Sequence, residues 1–241
     1  MASLSDALAM KILALEFSST QRSVAVVQPG GDAMAAPAIS AETVEAGGRS
    51  PNLLSLVEDA LRAAALDRAQ IECLAIGLGP GSYAGIRSAI ALAQGWQLAA
   101  EVKLIGISSV DCLAAQAREE GIHGRVHVVI DAQRNEFYLA GYDVDAEACR
   151  EVEPLRLATL SEVRARVEAG GTVIGPEAAN WFPGSRVIFP RAATLGRLAC
   201  SRTDFIPGEA MEPIYLRPTQ FVKAPPPRIV PSPCPVPAKS C

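Results

Sequence analysis

Apolar residues recur along this chain with two periods, and the switches between them lay out its elements. Residues 11–17 (KILALEF) are apolar at most positions, as a buried strand is. A hydroxyl-rich turn follows, Ser18-Ser19-Thr20-Gln21, and residues 22–28 return as an alternating strand. A weaker third strand is predicted over 39–45, closed by Gly47-Gly48. Ser50-Pro51 reads as an N-cap followed by proline at the first helical position. The helix it opens, residues 51–66, carries Leu53, Val57, Ala60, Leu61 and Ala64 on one face, widened by Leu54 and Leu56. Residues 73–78 form another apolar run, and Gly77, Gly79, Pro80, Gly81 and Gly85 follow within nine positions, a sharp strand-to-helix turn. From Tyr83 the period is helical to Ala99. Ile86, Ala89, Ile90 and Ala93 share one face, and Leu92, Trp96 and Ala99 another. Both helices are therefore expected to be buried on more than one side. Residues 103–107 are a strand, and Ser108 or Ser109 caps a helix to about residue 120. The order βββαβαβα implies a mixed sheet with helices packed on it.

The second half repeats the first in outline. Strands are predicted over 127–131, 136–142 and 151–157, a helix over 161–169, a strand over 172–174 and a helix over 191–201. Asp131 ends a strand before the polar turn Gln133-Arg134-Asn135, as Glu16 does before its own turn. Residues 224–240 contain seven prolines and are expected to be an extended, poorly ordered tail.

Composition narrows the function classes. The 241 residues are 49% hydrophobic and 20% charged, ordinary for a globular chain. A net charge of −4 argues against independent grip on nucleic acid. From Phe182 onward, however, eight basic residues face three acidic ones. The cysteines, Cys73, Cys112, Cys149, Cys200, Cys234 and Cys241, form no C-x-x-C pair, which points to reduced thiols and a cytoplasmic setting. The N-terminus has no signal-peptide pattern, and no uninterrupted apolar run reaches membrane-spanning length, so no membrane association is expected.

Several chemistries fail on their residues. The glycine-rich turn lacks the Gly-Lys-Ser/Thr of a Walker loop, and Ser82 stands where a dinucleotide fingerprint needs its third glycine. His123 and His127 have a metal-chelating spacing for a helix, but they straddle Gly124 and a strand, where four positions are too far apart. No hydrolase elbow is present. No glycine follows Glu16 or Asp131 closely enough to wrap a phosphate, so both acids are expected to fix their turns. Arg87, at the start of its helix, is placed either to face a phosphate or to pair with an acid such as Glu42.

The segment GPGSYAGIR, followed by SAIALAQGWQLA, resembles the GPGSFTGLR segment of the TsaB (YeaZ) family, with Tyr83-Ala84 in place of Phe-Thr. IDAQRNEFYLAGY and the Pro213–Arg217 run PIYLR resemble two further segments of that family, so the likeness spans about residues 11–218. It implies an α/β protein of two actin-like lobes with mixed sheets, the second reduced, over residues 10–107 and 108–222, with 223–241 as the tail. Gly170-Gly171 and Gly175-Pro176-Glu177 resemble a relic of that superfamily's adenosine loop. The resemblance implies a non-catalytic subunit that binds and activates a TsaD-like transferase, which modifies the adenosine beside the anticodon in tRNAs reading codons that begin with A. A TsaE-like ATPase is the implied further partner, tRNA is reached only through the complex, and a homodimer is expected when the chain is alone. No cofactor of its own is expected, though ATP or ADP is expected at the shared interface. Leu53, Leu54, Val57, Leu61, Gly85, Ala89, Ile90 and Ala93 are the expected partner surface, and Gly79, Gly81, Ser82 and Arg87 the candidate phosphate contacts. The alternative is a small-molecule kinase or nucleotide-binding regulator of the same superfamily, which would need two phosphate loops and a general base.

Overall fold

The structure, a computed structural model, describes residues 10–28, 38–46 and 53–217. The Ser50-Pro51 cap, Gly47-Gly48, the N-terminal segment, Cys234, Cys241 and the proline-rich tail lie outside those residues.

The first sheet contains β1 (Ile12–Glu16), β2 (Gln21–Gln28), β3 (Ala38–Ala46), β4 (Cys73–Gly77) and β5 (Lys103–Ile107), in the order β3-β2-β1-β4-β5. The hairpin strands pair antiparallel, whereas β4 and β5 join β1 in parallel. The second sheet contains β6 (Gly124–Asp131), β7 (Glu136–Val144), β8 (Cys149–Thr159), β9 (Thr172–Gly175) and β10 (Arg186–Val187), in the order β10-β9-β6-β7-β8. Read from β8, this is the order of the first sheet, with the same parallel and antiparallel pairs. The internal repeat is thus a repeat of topology. The reduction of the second unit falls on its helices. Where the first has α1 (Leu53–Ala63) and α2 (Tyr83–Ala99), the second has α4 (Leu160–Glu168) and the four-residue α5 (Ala178–Trp181). Neither α5 nor β10 carries enough residues for its period to be read in the sequence.

α3 (Ser109–Glu119) leads from the first sheet to the second, and its Leu113 and Ala117 pack with Val126, Val128 and Ile130 of β6. The last helix, α6 (Ala192–Cys200), turns back. Leu195 and Ala199 pack with Ile12, Ala14, Ala25 and Val27 of the first sheet. Its N-terminus is anchored there: Ala192 N donates to Ser23 Oγ at 2.8 Å and Ala193 N to Glu42 Oε1 at 3.1 Å. A helix leaves its first N–H groups without internal partners, and here the sheet supplies them. Glu42 also pairs with Arg191, so it is not the partner of Arg87.

The other face of the first sheet carries α1 and α2, and the expectation that both helices are buried on several sides is corrected here. Val57 and Leu61 of α1, and Gly85, Ile86, Ala89, Ile90 and Ala93 of α2, are core. The opposite sides are open, with Leu54 52% and Leu98 90% exposed.

Candidate functional site

The two strand-end turns face each other across a cleft of about 440 Å³. Ser18, Ser19, Thr20 and Ser82 line one side, and Asp131, Gln133, Tyr138 and Glu177 the other. The actin-like arrangement is therefore intact as a cleft, but its acids are disposed in two different ways.

Glu16 does not reach it. Its side chain is fully buried, Oε1 accepting from Ser18 N at 2.8 Å and Oε2 from Ser109 Oγ at 2.9 Å. Ser109 Oγ in turn accepts from Gly79 N at 3.2 Å. The carboxyl fills the space beside Gly77, where an added Cβ would come within 2.1 Å of Oε2. Burial raises its pKa, and the bonds from Ser18 and Ser109 oppose the shift. Glu16 thus ties β1, the glycine turn and the start of α3 together. Asp131 accepts from Gln133 N at 2.7 Å and does line the cleft. Glu177 lies on the same side, its carboxyl raised by burial and then by the charge of Asp131. Two acids on one wall disfavour a bare polyphosphate there, with Arg22 the cation among the lining residues.

Of the candidate phosphate contacts, Gly81 and Ser82 border the cleft and Gly79 and Arg87 do not. Their donors serve the fold. Ser82 N donates to Ser18 O at 2.6 Å, and Ser82 Oγ caps α2 by accepting from Gly85 N at 3.3 Å. Gly85 sits so close to β1 that a Cβ would meet Phe17 O at 2.1 Å. Arg87 stacks 5.0 Å from the centroid of the Tyr83 ring and donates to Tyr83 Oη at 3.0 Å. Tyr215 lies 5.8 Å from Tyr83, and Arg217 pairs with Glu136 at the foot of β7. The PIYLR segment thus bridges α2 and the second hairpin.

The expected partner residues also divide. Val57, Leu61, Gly85, Ala89, Ile90 and Ala93 belong to the core, Leu53 is half-buried and Leu54 is exposed. The open side of α2 instead presents Tyr83, Ala84, Arg87, Ser88, Ala91 and Gly95. The helical period was legible, but which of two apolar faces meets the sheet depends on where the sheet lies. His123 is exposed and His127 is buried on β6. Among the described residues no group of three His, Cys, Asp or Glu side chains could hold a metal, and no helix is long and apolar enough to cross a membrane. Cys73, Cys112, Cys149 and Cys200 are free thiols. No motif marks Arg22, whereas Tyr138 stands in the IDAQRNEFYLAGY segment and Glu177 in the Gly-Pro-Glu turn.

Paired sheets of this order around a cleft define an actin-like α/β protein. Residues 47–194 match the family model described as "TsaD: tRNA N6-adenosine threonylcarbamoyltransferase". The chain is 30% identical over 182 residues to the Escherichia coli tRNA threonylcarbamoyladenosine biosynthesis protein TsaB, covering 68% of this chain and 79% of that one. It is 34% identical over 88 residues to the protein of the same description from Haemophilus influenzae, covering 36% of this chain and 37% of that one. The solved structure of YeaZ from Pseudomonas aeruginosa superposes with a TM-score of 0.72 at 25% identity, covering 86% of this chain and all of that one. The chain belongs to the TsaB (YeaZ) family, which takes part in the biosynthesis of threonylcarbamoyladenosine in tRNA.

Proposed function

We propose that this protein is the non-catalytic subunit that docks on a TsaD-like transferase and holds it in its active arrangement. The observation that carries this reading is the open side of α1 and α2. Along α2, Ala84, Ser88, Ala91 and Gly95 are exposed small residues at helical spacing, flanked by exposed Tyr83, Leu98 and, on α1, Leu54. Small residues let a second helix approach closely, and the apolar flanks would be desolvated by it. In this reading a TsaE-like ATPase joins the complex, tRNA is met only there, in the cytoplasm, and ATP or ADP sits at the shared interface. The same surface pairs two copies when the transferase is absent.

A kinase reading has less to stand on. Glu16 is turned into the core with both oxygens engaged, and Asp131 shares its wall with Glu177.

The test is a binding measurement with the purified TsaD-type subunit of the same organism. Ala91→Arg and Leu54→Glu each place a charge where it would be desolvated and unpaired, a cost of several kcal/mol, on the order of 3–5. Each variant is expected to keep its circular dichroism and melting temperature and to lose the complex together with tRNA modification. Normal binding by both folded variants would overturn the proposal.

A further inference from the structure

A second cavity, of about 310 Å³, lies away from the cleft, where α3, β7, the start of β8 and α6 converge. Its polar lining is Asp111 and Arg118 from α3, Tyr142 from β7, Cys149, and Ser201 and Arg202 just after α6. The charged groups are held in place by neighbours. Tyr142, only 3% exposed, donates its hydroxyl to Asp111 Oδ1 at 2.7 Å. Burial and then the Asp111 charge push that hydroxyl's pKa up, so it stays a donor and the carboxylate stays oriented. Arg118 Nη1 donates to Glu147 O at 2.8 Å, and Arg202 forms a two-bond ion pair with Asp204, Nε donating to Oδ1 at 2.9 Å and Nη2 to Oδ2. Ile107, Ala115 and Leu198 form the apolar wall.

We infer that this cavity is a binding site for a free α-amino acid. One carboxylate and two guanidiniums face a space at the small end of ligand pockets, which run from about 300 to 1,000 Å³. A simple anion would meet Asp111, and a simple cation would meet Arg118, the charge of Arg202 being balanced by Asp204. A zwitterion satisfies both signs at once: its ammonium bonds to Asp111, its carboxylate to the free guanidinium N–H groups, and its side chain lies on Ile107, Ala115 and Leu198. The lining comes from Ile107 of β5 and from α6 on the first sheet's side, and from α3, β7 and β8 on the second's, so an occupant ties the two together. Nothing in this site touches the open face of α1 and α2, and its test is independent of the partner.

Saturation-transfer NMR on the full-length chain, with each common L-amino acid in turn, tests it. At least one is expected to bind with a Kd of about 1 mM or tighter. Its deaminated acid and its decarboxylated amine are each expected to bind about tenfold more weakly, as is the parent to Asp111→Asn and Arg118→Gln. The inference is overturned if no L-amino acid saturates the protein by about 10 mM, if either analogue equals its parent, or if a folded variant binds normally. Should a variant unfold, the analogue comparison on the wild type decides alone.

Discussion

His127 is a side chain whose charge the fold opposes. It is 6% exposed, its Nδ1 has no hydrogen-bond partner, and burial lowers its pKa from 6.5 against the pull of Glu153. The unfolded chain therefore binds its proton more readily, and stability is lost as pH falls below 6.5. Urea unfolding at stepped pH should show that loss in the wild type and a flatter profile in His127→Phe; equal slopes would discount the assignment. Glu16 has the opposite sign. Its raised pKa means that the folded state holds the proton longer, so this contribution falls as pH rises above 4.5. Ser109→Ala removes the donor to Oε2 and should cost about 1–3 kcal/mol in chemical denaturation at neutral pH. That both strand-end acids mark turns was legible from their position. That one is core and the other lines a cleft was not, because Gly77 and Ser109 meet Glu16 only through the parallel register of β1 with β4 and the start of α3.

At the scale of elements, the glycine turn shows how a close approach constrains composition. Gly85→Ala would drive a Cβ into Phe17 O, displacing α2 from the hairpin, so a loss of about 2–4 kcal/mol in thermal or urea unfolding is expected. A variant as stable as the wild type would mean that the helix start can shift freely. The β6–β7 turn is the counterpart in the second unit. Gln133, Arg134 and Asn135 all have positive φ, near 60°, a conformation that costs energy for residues with a Cβ. Arg217, reaching Glu136 and the Gln133 carbonyl, braces it. Arg217→Ala should speed hydrogen exchange at the amides of 133–136, measured by mass spectrometry, while exchange in β1 and β4 stays unchanged. The major strands and helices were legible because their apolar periods run for at least four residues. Their ends were less so: β6 begins at Gly124 rather than 127, because pairing with β7 carries the ladder beyond the apolar core.

For the molecule as a whole, the succession of strands and helices along each half was readable from the sequence, and the family followed from three short segments. The destination of α6 was not. Chain order alone puts residues 191–201 with the second unit, whereas Leu195 and Ala199 cover the first sheet and Ser23 and Glu42 hold the helix start. Its apolar residues would suit either sheet; the choice is made by side chains some 150 positions earlier, Arg191 and Ala193 meeting Glu42 at separations of 149 and 151 residues. Arg191→Ala should therefore lower the stability of the first unit selectively, seen as faster exchange in β1 and β2.

That return of the chain has a consequence for birth on the ribosome. Strands β1, β2, β4 and β5 emerge early, yet the helix that covers Ile12, Ala14, Ala25 and Val27 is translated only after the entire second sheet. One apolar face of the first sheet stays bare for most of synthesis, and the last strand of the second sheet is made before the helix that covers that face. The nascent chain thus completes its second unit before its first, against the usual N-to-C order, and the bare face waits until residue 200 has left the exit tunnel.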